Sequence, residues 1–326
     1  MHKIKTAKTV AVILAVLLML TSVFYYKIAE AVANNDGGTG EIQTVSIAYL
    51  PITHALPIFE LKEELEASTS NLRVELVKFS AWPELLDALN TGKVDAASVL
   101  VELAMKSKQE GVDLKLAALG HRDGNVIMAN EKIQEAKDLK GKTFAIPHRQ
   151  SSHNILMNLE LDTVGLTVDD LNVVELAPTE MPSALATGQI DAYCVAEPFG
   201  AKGLSLGGGA HVLATSEELW QDSICCGLVL NGTFASENAA LADALVENYK
   251  HAGDALHKNE AFSVAQSYLG QEDDILETSL QWISYNDLGV TKETYQALTE
   301  KMVQFGLTDN PPTYDDFLYQ SVKEAA

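Results

Sequence analysis

A repeat in the middle of the chain is the feature that most constrains its fold. The segment ELLDALNTGKVDAASVL begins at Glu84, and 96 residues later EMPSALATGQIDAYCVA begins at Glu180. Pro51 and Pro147, which follow two β-branched runs, share this offset. Part of the match is ordinary helix-to-strand turn chemistry, but the common offset predicts two α/β lobes of the same plan. The gapless matches are Ala88, Leu89, Thr91, Gly92, Asp95 and Ala96 with Ala184, Leu185, Thr187, Gly188, Asp191 and Ala192.

Hydrophobic periodicity predicts the order β-α-β-α-β in both lobes. Short apolar strands, GNVIMAN and CGLVLNG, follow the lobes and are natural crossovers between them. After Asn231 the pattern is helical to the end of the chain, and we expect these helices to pack on lobe 1. The predicted organisation is 1–40 leader and linker, 41–124 first part of lobe 1, 125–229 lobe 2 with the crossover strands, and 230–326 the helical return to lobe 1.

The first forty residues have the layout of an export segment. A basic start, MHKIKTAK, precedes an 18-residue apolar run and a small, polar linker. This predicts either a signal peptide cleaved near Ala33 or an N-terminal membrane anchor. No cysteine lies near position 30, so lipid attachment through a cysteine is excluded. In both cases the protein works outside the cytoplasmic membrane, at the cell surface or in the periplasm.

Charge and cysteine content exclude several function classes. The chain of 326 residues is 47% hydrophobic and has a formal net charge of −22, which argues against a nucleic-acid partner because phosphate neutralisation needs clustered Lys and Arg. Cys194, Cys225 and Cys226 lack the spacing of a zinc site, and adjacent cysteines rarely bridge each other. We expect buried thiols, although a bridge from Cys194 to one of the pair stays open.

A small ligand is expected between the lobes, outside the carboxyl ends of the parallel strands. The segment PHRQSSHN places small polar residues and His153 at a helix N-terminus, where free N–H groups favour a polar oxygen. Ser151 or Ser152 could instead only cap the helix, Trp82 could be an ordinary packing residue, and Glu197 could be a hinge hydrogen-bonder. The predicted ligand-binding residues are Thr53, His54, Trp82, Ser98, His148, Ser151, Ser152, His153 and Glu197.

Four of the eight histidines fall at predicted strand ends: His54, His121, His148 and His153. A metal-binding cleft would need several of them to converge with carboxylates. No helix carries a His-x-x-x-His pair, so we predict neither a metal site nor a cofactor.

The segments PITHALPIFE, SAWPELLDAL, SSHNIL and CVAEPFGAK resemble those of ABC-importer substrate-binding proteins for nitrate, bicarbonate, sulfonates and taurine, a cluster that includes binders of thiamine-pyrimidine precursors. The resemblance implies a two-lobed, periplasmic-binding-protein-like (type II) fold with a C-terminal helical segment on lobe 1. It also implies a small-molecule solute, and permease and ATPase subunits as partners. By the same resemblance Trp82 and His153 line the pocket.

Three departures from the family's nitrate binders alter the expected solute. Ser98 stands where they have Gln, Ala196 where they have Gly, and Ile224 near where they have an anion-pairing Lys. A bare inorganic anion would lose its counter-charge, so the resemblance implies a larger polar or weakly anionic organic solute.

Two other classes of protein remain as alternatives. The first is a ligand-sensing extracellular receptor domain. The second is an enzyme related to the pyrimidine-forming members of the superfamily, but the Cys225–Cys226 pair is too short for their cysteine-rich iron motif. The nucleophile-elbow pattern GLSLG, Gly203 to Gly207, follows a predicted helix rather than a strand and is interpreted as a chance match. We therefore expect no enzymatic activity.

Overall fold

The computed structural model describes residues 41–321, and the predicted export segment lies outside them. The residues from Ile42 onward, apart from 69–71, belong to one compact unit. The strands are β1 Gln43–Tyr49, β2 Leu72–Lys78, β3 Ala96–Leu100, β4 Leu114–Leu119, β5 Arg122–Asp123, β6 Asn125–Ala129, β7 Thr143–Ile146, β8 Asn172–Glu175, β9 Ala192–Ala196, β10 His211–Thr215, β11 Cys226–Asn231 and β12 Ile283–Ser284.

The helices alternate with the strands in both lobes and then dominate the C-terminal part. They are α1 Leu56–Ala67, α2 Trp82–Asn90, α3 Val101–Gln109, α4 Ser152–Asp162, α5 Met181–Ala186, α6 Phe199–Ser205, α7 Ser216–Leu219, α8 Gly232–Glu237, α9 Ala239–Ala255, α10 Lys258–Leu269, α11 Asp273–Ser279, α12 Lys292–Gln304 and α13 Tyr314–Phe317. Short 3-10 turns occupy Thr53–Ala55, Ala136–Leu139 and Val168–Asp170.

The two sheets have the same strand plan. The first has the order β2-β1-β3-β11-β4, and the second, read from its corresponding edge, has the order β8-β7-β9-β6-β10. In each sheet the three lobe strands are parallel, and the fourth strand, β11 or β6, is antiparallel to its neighbours. Because β6 and β11 follow the crossovers, each lobe is completed by a strand from beyond its own repeat. The predicted two-lobed α/β fold is confirmed.

The repeated glycine and aspartate have a structural reason. Gly92 and Gly188 close helices α2 and α5 with φ of 69° and 73°, a left-handed conformation that favours glycine. Asp95 Oδ2 accepts from the backbone N–H of Ser46 at 2.8 Å, and Asp191 Oδ2 accepts from that of Thr143 at 3.0 Å. Each aspartate thus fixes the strand that follows its helix against the first strand of the same lobe.

The C-terminal helices pack on the first lobe, as predicted. Helix α9 lies against α1, and the rings of Phe59 on α1 and Tyr268 on α10 stack with centroids 4.5 Å apart. Fully burying a side chain such as Phe59 contributes about 1.5–3 kcal/mol, so this contact is a substantial part of the attachment. Helix α11 also contacts α6 of the second lobe, which the sequence did not predict. Within residues 41–321, we find no helix that is both long and apolar enough to span a bilayer.

Candidate ligand site between the two sheets

The turn after β1 meets the end of β9, and this contact joins the two lobes. The backbone N–H and the hydroxyl of Thr53 both donate to the Glu197 carbonyl oxygen, at 2.8 and 3.0 Å. Tyr285, from the C-terminal part, donates its hydroxyl to the Thr53 carbonyl oxygen at 2.9 Å. Three hydrogen bonds to two distant parts of the sequence therefore hold the Thr53–Ala55 turn in one position.

His54 and His121 form a buried, stacked pair beside this turn. Their ring centroids are 3.5 Å apart with an interplanar angle of 26°, and neither side chain is exposed. His54 Nε2 lies 3.0 Å from the Gly124 carbonyl oxygen, which only accepts, so Nε2 carries the proton and Nδ1 has the lone pair. His121 Nε2 accepts from the Cys226 N–H at 3.3 Å, so its lone pair is on Nε2.

Two adjacent thiols complete the cluster. Cys225 and Cys226 are fully buried at the start of β11, and their sulfur atoms are 3.8 Å apart. One nitrogen of each of His54 and His121 and the two sulfur atoms all lie within 4.8 Å of one another. We call these four residues the His2Cys2 cluster. The set has the residue types that hold transition-metal ions in proteins.

The surroundings of the His2Cys2 cluster are polar and buried. His153, at the start of α4 in the second lobe, and Glu102, at the start of α3 in the first, are both fully buried. In residues 41–321, neither ring nitrogen of His153 has a hydrogen-bond partner, and the Glu102 carboxyl interacts with Ser152. Buried polar groups are usually paired, so the His153 nitrogens mark a place where a ligand is expected to supply the missing contact.

Burial shifts the pKa values of these groups. It lowers the pKa of His121 to about 4, helped by His54, and lowers the pKa of His153 to about 4. It raises the pKa of Glu102 well above its usual value, with the nearby Cys225 adding to the rise. Burial therefore keeps His121 and His153 neutral at pH 7 and favours the protonated form of the Glu102 carboxyl.

The two thiols differ in their surroundings. Burial alone raises the pKa of Cys225, but Cys226, His153, His121 and His54 together bring it well below its usual value. Burial, reinforced by Cys225, raises the pKa of Cys226. Cys225 is thus the first of the pair to form a thiolate, the form that is both the nucleophile and the metal ligand.

Of the remaining predicted residues, Trp82 and Ser98 lie in the first lobe, and His148 and Ser151 lie just before α4. Trp82 and Ser98 are buried in the first lobe, and Trp82 Nε1 has no partner among the described residues. Ser151 accepts from the Asn154 N–H at 3.4 Å and donates to the His148 carbonyl oxygen at 2.6 Å, so it caps α4. His148 is about 30% exposed and accepts from a backbone N–H through Nδ1.

Ser152, beside His153, is buried and interacts with the Glu102 carboxyl of the first lobe. Ser205, the central residue of GLSLG, lies at the exposed end of helix α6 rather than at a strand-to-helix turn. The arrangement that a nucleophile elbow requires does not occur at this serine.

Sequence reasoning placed Glu102 at the cleft, in the stretch 98–102, but did not assign His121, Cys225 or Cys226 to the site. Their position along the chain could have identified these three. His121 lies in the first connection between the lobes, and Cys225 and Cys226 lie at the end of the return connection. In a two-lobed fold that region borders the cleft.

Comparison with known proteins gives one family and several related binding proteins. The model of the NMT1-like family matches residues 38–269. The ligand-binding component of an ABC-type import system from Staphylococcus aureus, solved with zinc bound, is 38% identical over 87% of this chain and 99% of that chain, with a TM-score of 0.82.

Two curated relatives are more distant. A putative aliphatic sulfonates-binding protein of Escherichia coli is 25% identical over 67% of this chain and 68% of its own length. The nitrate import ATP-binding protein NrtC of Synechocystis is 26% identical over 82% of this chain, and the chain spans only 43% of the length of that relative.

Proposed function

The chain belongs to the NMT1-like family, and from this premise we propose that it is the extracytoplasmic solute-binding component of an ABC importer. In this role it captures a small solute between its lobes and delivers it to permease and ATPase subunits. The likeness to the S. aureus import component, which covers nearly all of that protein, supports the proposal. The sulfonates-binding relative supports it as well.

One observation from the structure carries the proposal. Polar groups from both lobes meet at full burial: the Glu102 carboxyl of the first lobe interacts with Ser152 of the second, and His153 of the second interacts with His54 of the first. His54 Nδ1 and both ring nitrogens of His153 have no hydrogen-bond partner in residues 41–321. Each unsatisfied buried polar group costs about 1–3 kcal/mol. A ligand that hydrogen-bonds to these groups in the closed state removes this cost.

The mechanism that follows is capture by closure. The two connections between the sheets, at residues 120–125 and 216–226, are short, so a hinge there moves one sheet relative to the other. A solute that contacts both lobes binds the closed state better and shifts the population toward it. The site residues bind and enclose the solute, and we propose no chemical step on it.

The location and the solute are also proposals. Export through the N-terminal segment would place the protein outside the cytoplasmic membrane, anchored or released near Ala33. Related proteins are named for nitrate, bicarbonate or sulfonates, and one was solved with zinc bound. These solutes differ in charge and in the atoms that recognise them, so the chemistry of the site must decide among them.

A solute screen on the full chain tests the proposal. Melting temperatures are measured with nitrate, bicarbonate, sulfonates, taurine, pyrimidines and divalent metal ions, each in separate samples. A ligand at a hundred times its dissociation constant adds about 2.7 kcal/mol to the free energy of unfolding. A stabilising ligand should also reduce the radius of gyration in solution scattering, because the lobes close around it.

A matched pair of variants identifies the site. His153→Gln should abolish the ligand-induced stabilisation, whereas His211→Gln, at a partly exposed histidine of β10, should leave it intact. A well-folded chain that no member of the panel stabilises or compacts would refute solute capture as its function.

A further inference from the structure

We propose that the His2Cys2 cluster binds a zinc-class divalent metal ion, and that this ion is the solute that the protein captures. The inference rests on the proposed function, because it names the class of solute for the same interlobe site. It follows from the donor atoms, the spacing of the sulfurs and the position of the cluster in the fold.

The sulfur spacing already fits a tetrahedral ion. Two Zn–S bonds of about 2.3 Å at the tetrahedral angle place their sulfur atoms roughly 3.8 Å apart. The Cys225 and Cys226 sulfur atoms are 3.8 Å apart in the structure. Adjacent residues on a strand point to opposite faces, but Cys225 precedes β11, which allows both thiols to turn to the same side.

The whole cluster is the size of an ion and too small for an organic solute. Zn–N bonds of about 2.0–2.1 Å and Zn–S bonds of about 2.3 Å give donor–donor distances of roughly 3.3–3.8 Å. All four donor atoms already lie within 4.8 Å of one another. A contraction of at most about 1.5 Å would complete the coordination sphere, whereas a sulfonate would need these atoms to move apart.

The backbone prepares the His54 imidazole for coordination. The Gly124 carbonyl fixes the proton of His54 on Nε2, so the lone pair on Nδ1 is available and has no partner in residues 41–321. Metal-binding histidines commonly have the second ring nitrogen held in this way. His121 differs, because its Nε2 lone pair is directed at the Cys226 N–H, in a long contact of 3.3 Å that a metal ion can replace, and its Nδ1 has no partner among the described residues.

The donor types select the kind of ion. Thiolate and imidazole favour zinc and the other borderline to soft transition metals, and two of each in a tetrahedral arrangement are typical of zinc. Mg²⁺ and Ca²⁺ prefer sets of oxygen ligands. Two thiolates also neutralise a divalent ion, which lowers the cost of placing its charge in a fully buried site.

The position of the cluster indicates that the ion is a transported solute rather than a permanently bound structural ion. All four ligands belong to the first lobe or to the crossovers, whereas His153, which interacts electrostatically with His54 and Cys225, comes from the second lobe. Because the ligands have no solvent-exposed surface, the ion would enter and leave only when the lobes separate. Opening at the permease would therefore expose the ion and allow it to exchange.

The test is metal binding by the full chain, reduced and stripped of metal by a chelator. We expect one equivalent of Zn²⁺ per chain, measured by calorimetry and elemental analysis. Co²⁺ in the same site should show the intense visible bands of tetrahedral coordination and a sulfur-to-cobalt charge-transfer band. This spectrum is measured on the wild-type chain, so the test does not depend on whether a variant folds.

The variants locate the ion. Cys225→Ser combined with Cys226→Ser should weaken Zn²⁺ binding about 100-fold or more and remove the charge-transfer band. Cys194→Ser, which removes a buried thiol from β9, is the matched control and should change neither. His121→Gln should weaken binding while the charge-transfer band remains.

Two outcomes overturn the inference. The first is the absence of stoichiometric binding by the wild-type chain, and the second is a Co²⁺ spectrum without sulfur bands that the double variant leaves unchanged. If an anion or an organic solute from the screen stabilises and compacts the chain while Zn²⁺ does not, the metal inference fails and the proposed solute-binding function stands. If nothing binds, both fail.

Discussion

The Glu197 carboxyl should make the stability of the fold depend on pH. The side chain is fully buried at the end of β9, and its Oε2 accepts from the Ala201 N–H at 3.1 Å. Its Oε1 has no partner among the described residues. Burial raises the pKa of this carboxyl to about 8 from an ordinary 4.5, and the hydrogen bond from Ala201 opposes the shift only in part.

The sign of the effect follows from proton binding. Between pH 4.5 and about 8 the folded state keeps the carboxyl protonated, whereas the unfolded chain loses the proton. Stability is therefore fully present below pH 4.5 and is lost as the pH rises through this window. One unit of pKa difference corresponds to about 1.4 kcal/mol, so the total loss is on the order of a few kcal/mol.

Glu197→Gln isolates this contribution. The amide oxygen can still accept from Ala201, but the side chain cannot ionise, so the variant should lose less stability than the wild type between pH 5 and pH 8. Urea unfolding at four pH values in that range measures the difference, which should grow by about 1 kcal/mol per pH unit. Glu84→Gln, at an exposed position on α2, is the control and should follow the wild type. Parallel pH profiles for Glu197→Gln and the wild type would refute the reasoning.

Three further substitutions test the packing. Asp191→Ala removes the acceptor of the Thr143 N–H and should cost about 1–3 kcal/mol in urea unfolding; a neutral result would show that the aspartate is not needed to fix β7. Gly203→Ala brings a methyl group against the Tyr193 hydroxyl and should cost about 1–3 kcal/mol. The cost should fall in a Tyr193→Phe background, and an equal cost in both backgrounds would contradict the clash. Asn231→Ala removes the side-chain cap of α8 and should lower stability by about 0.5–2 kcal/mol, with Asn231→Ser as the milder control.

The fold could be predicted from the sequence because its main signal is local and is repeated. Gly92 and Asp95 mark a helix end and a strand start in the first lobe, and Gly188 and Asp191 do the same in the second. Left-handed turns and backbone hydrogen bonds of this kind depend on a few neighbouring residues. Their pattern can therefore be recognised in a single sequence. The sequence also predicted two short apolar strands as crossovers between the lobes, and the structure adds that each of them completes a sheet.

The candidate site was only partly predictable. Thr53, His54 and Glu197 were expected at strand ends, and the structure brings the first and last together through hydrogen bonds. The proximity of His54 and Cys226 depends instead on the order of the strands in the first sheet. Strand β11 returns from the second lobe to lie between β3 and β4, and the Gly120 N–H then donates to the Cys226 carbonyl oxygen at 2.8 Å.

The expectation of no metal site considered only pairs within one helix and closely spaced cysteines. His54 and Cys225 are instead brought together by a sheet whose order does not follow the sequence. The absence of a metal site stays a prediction from the sequence, and the proposed cluster is its competitor. Stoichiometric Zn²⁺ binding decides between them.

One departure from the resembled family connects the site to the class of solute. The family's nitrate binders have an anion-pairing lysine near the position of Ile224, which here is a fully buried apolar residue followed by two thiols. An ion that is buried without a counter-charge is costly. A buried lysine can pair with an anion, whereas two thiolates can pair with a cation, so this site favours a solute of the opposite charge. Competition measures this directly: nitrate and an alkyl sulfonate at high concentration should leave the Zn²⁺ affinity unchanged, and a loss of affinity would show that an anion occupies the same place.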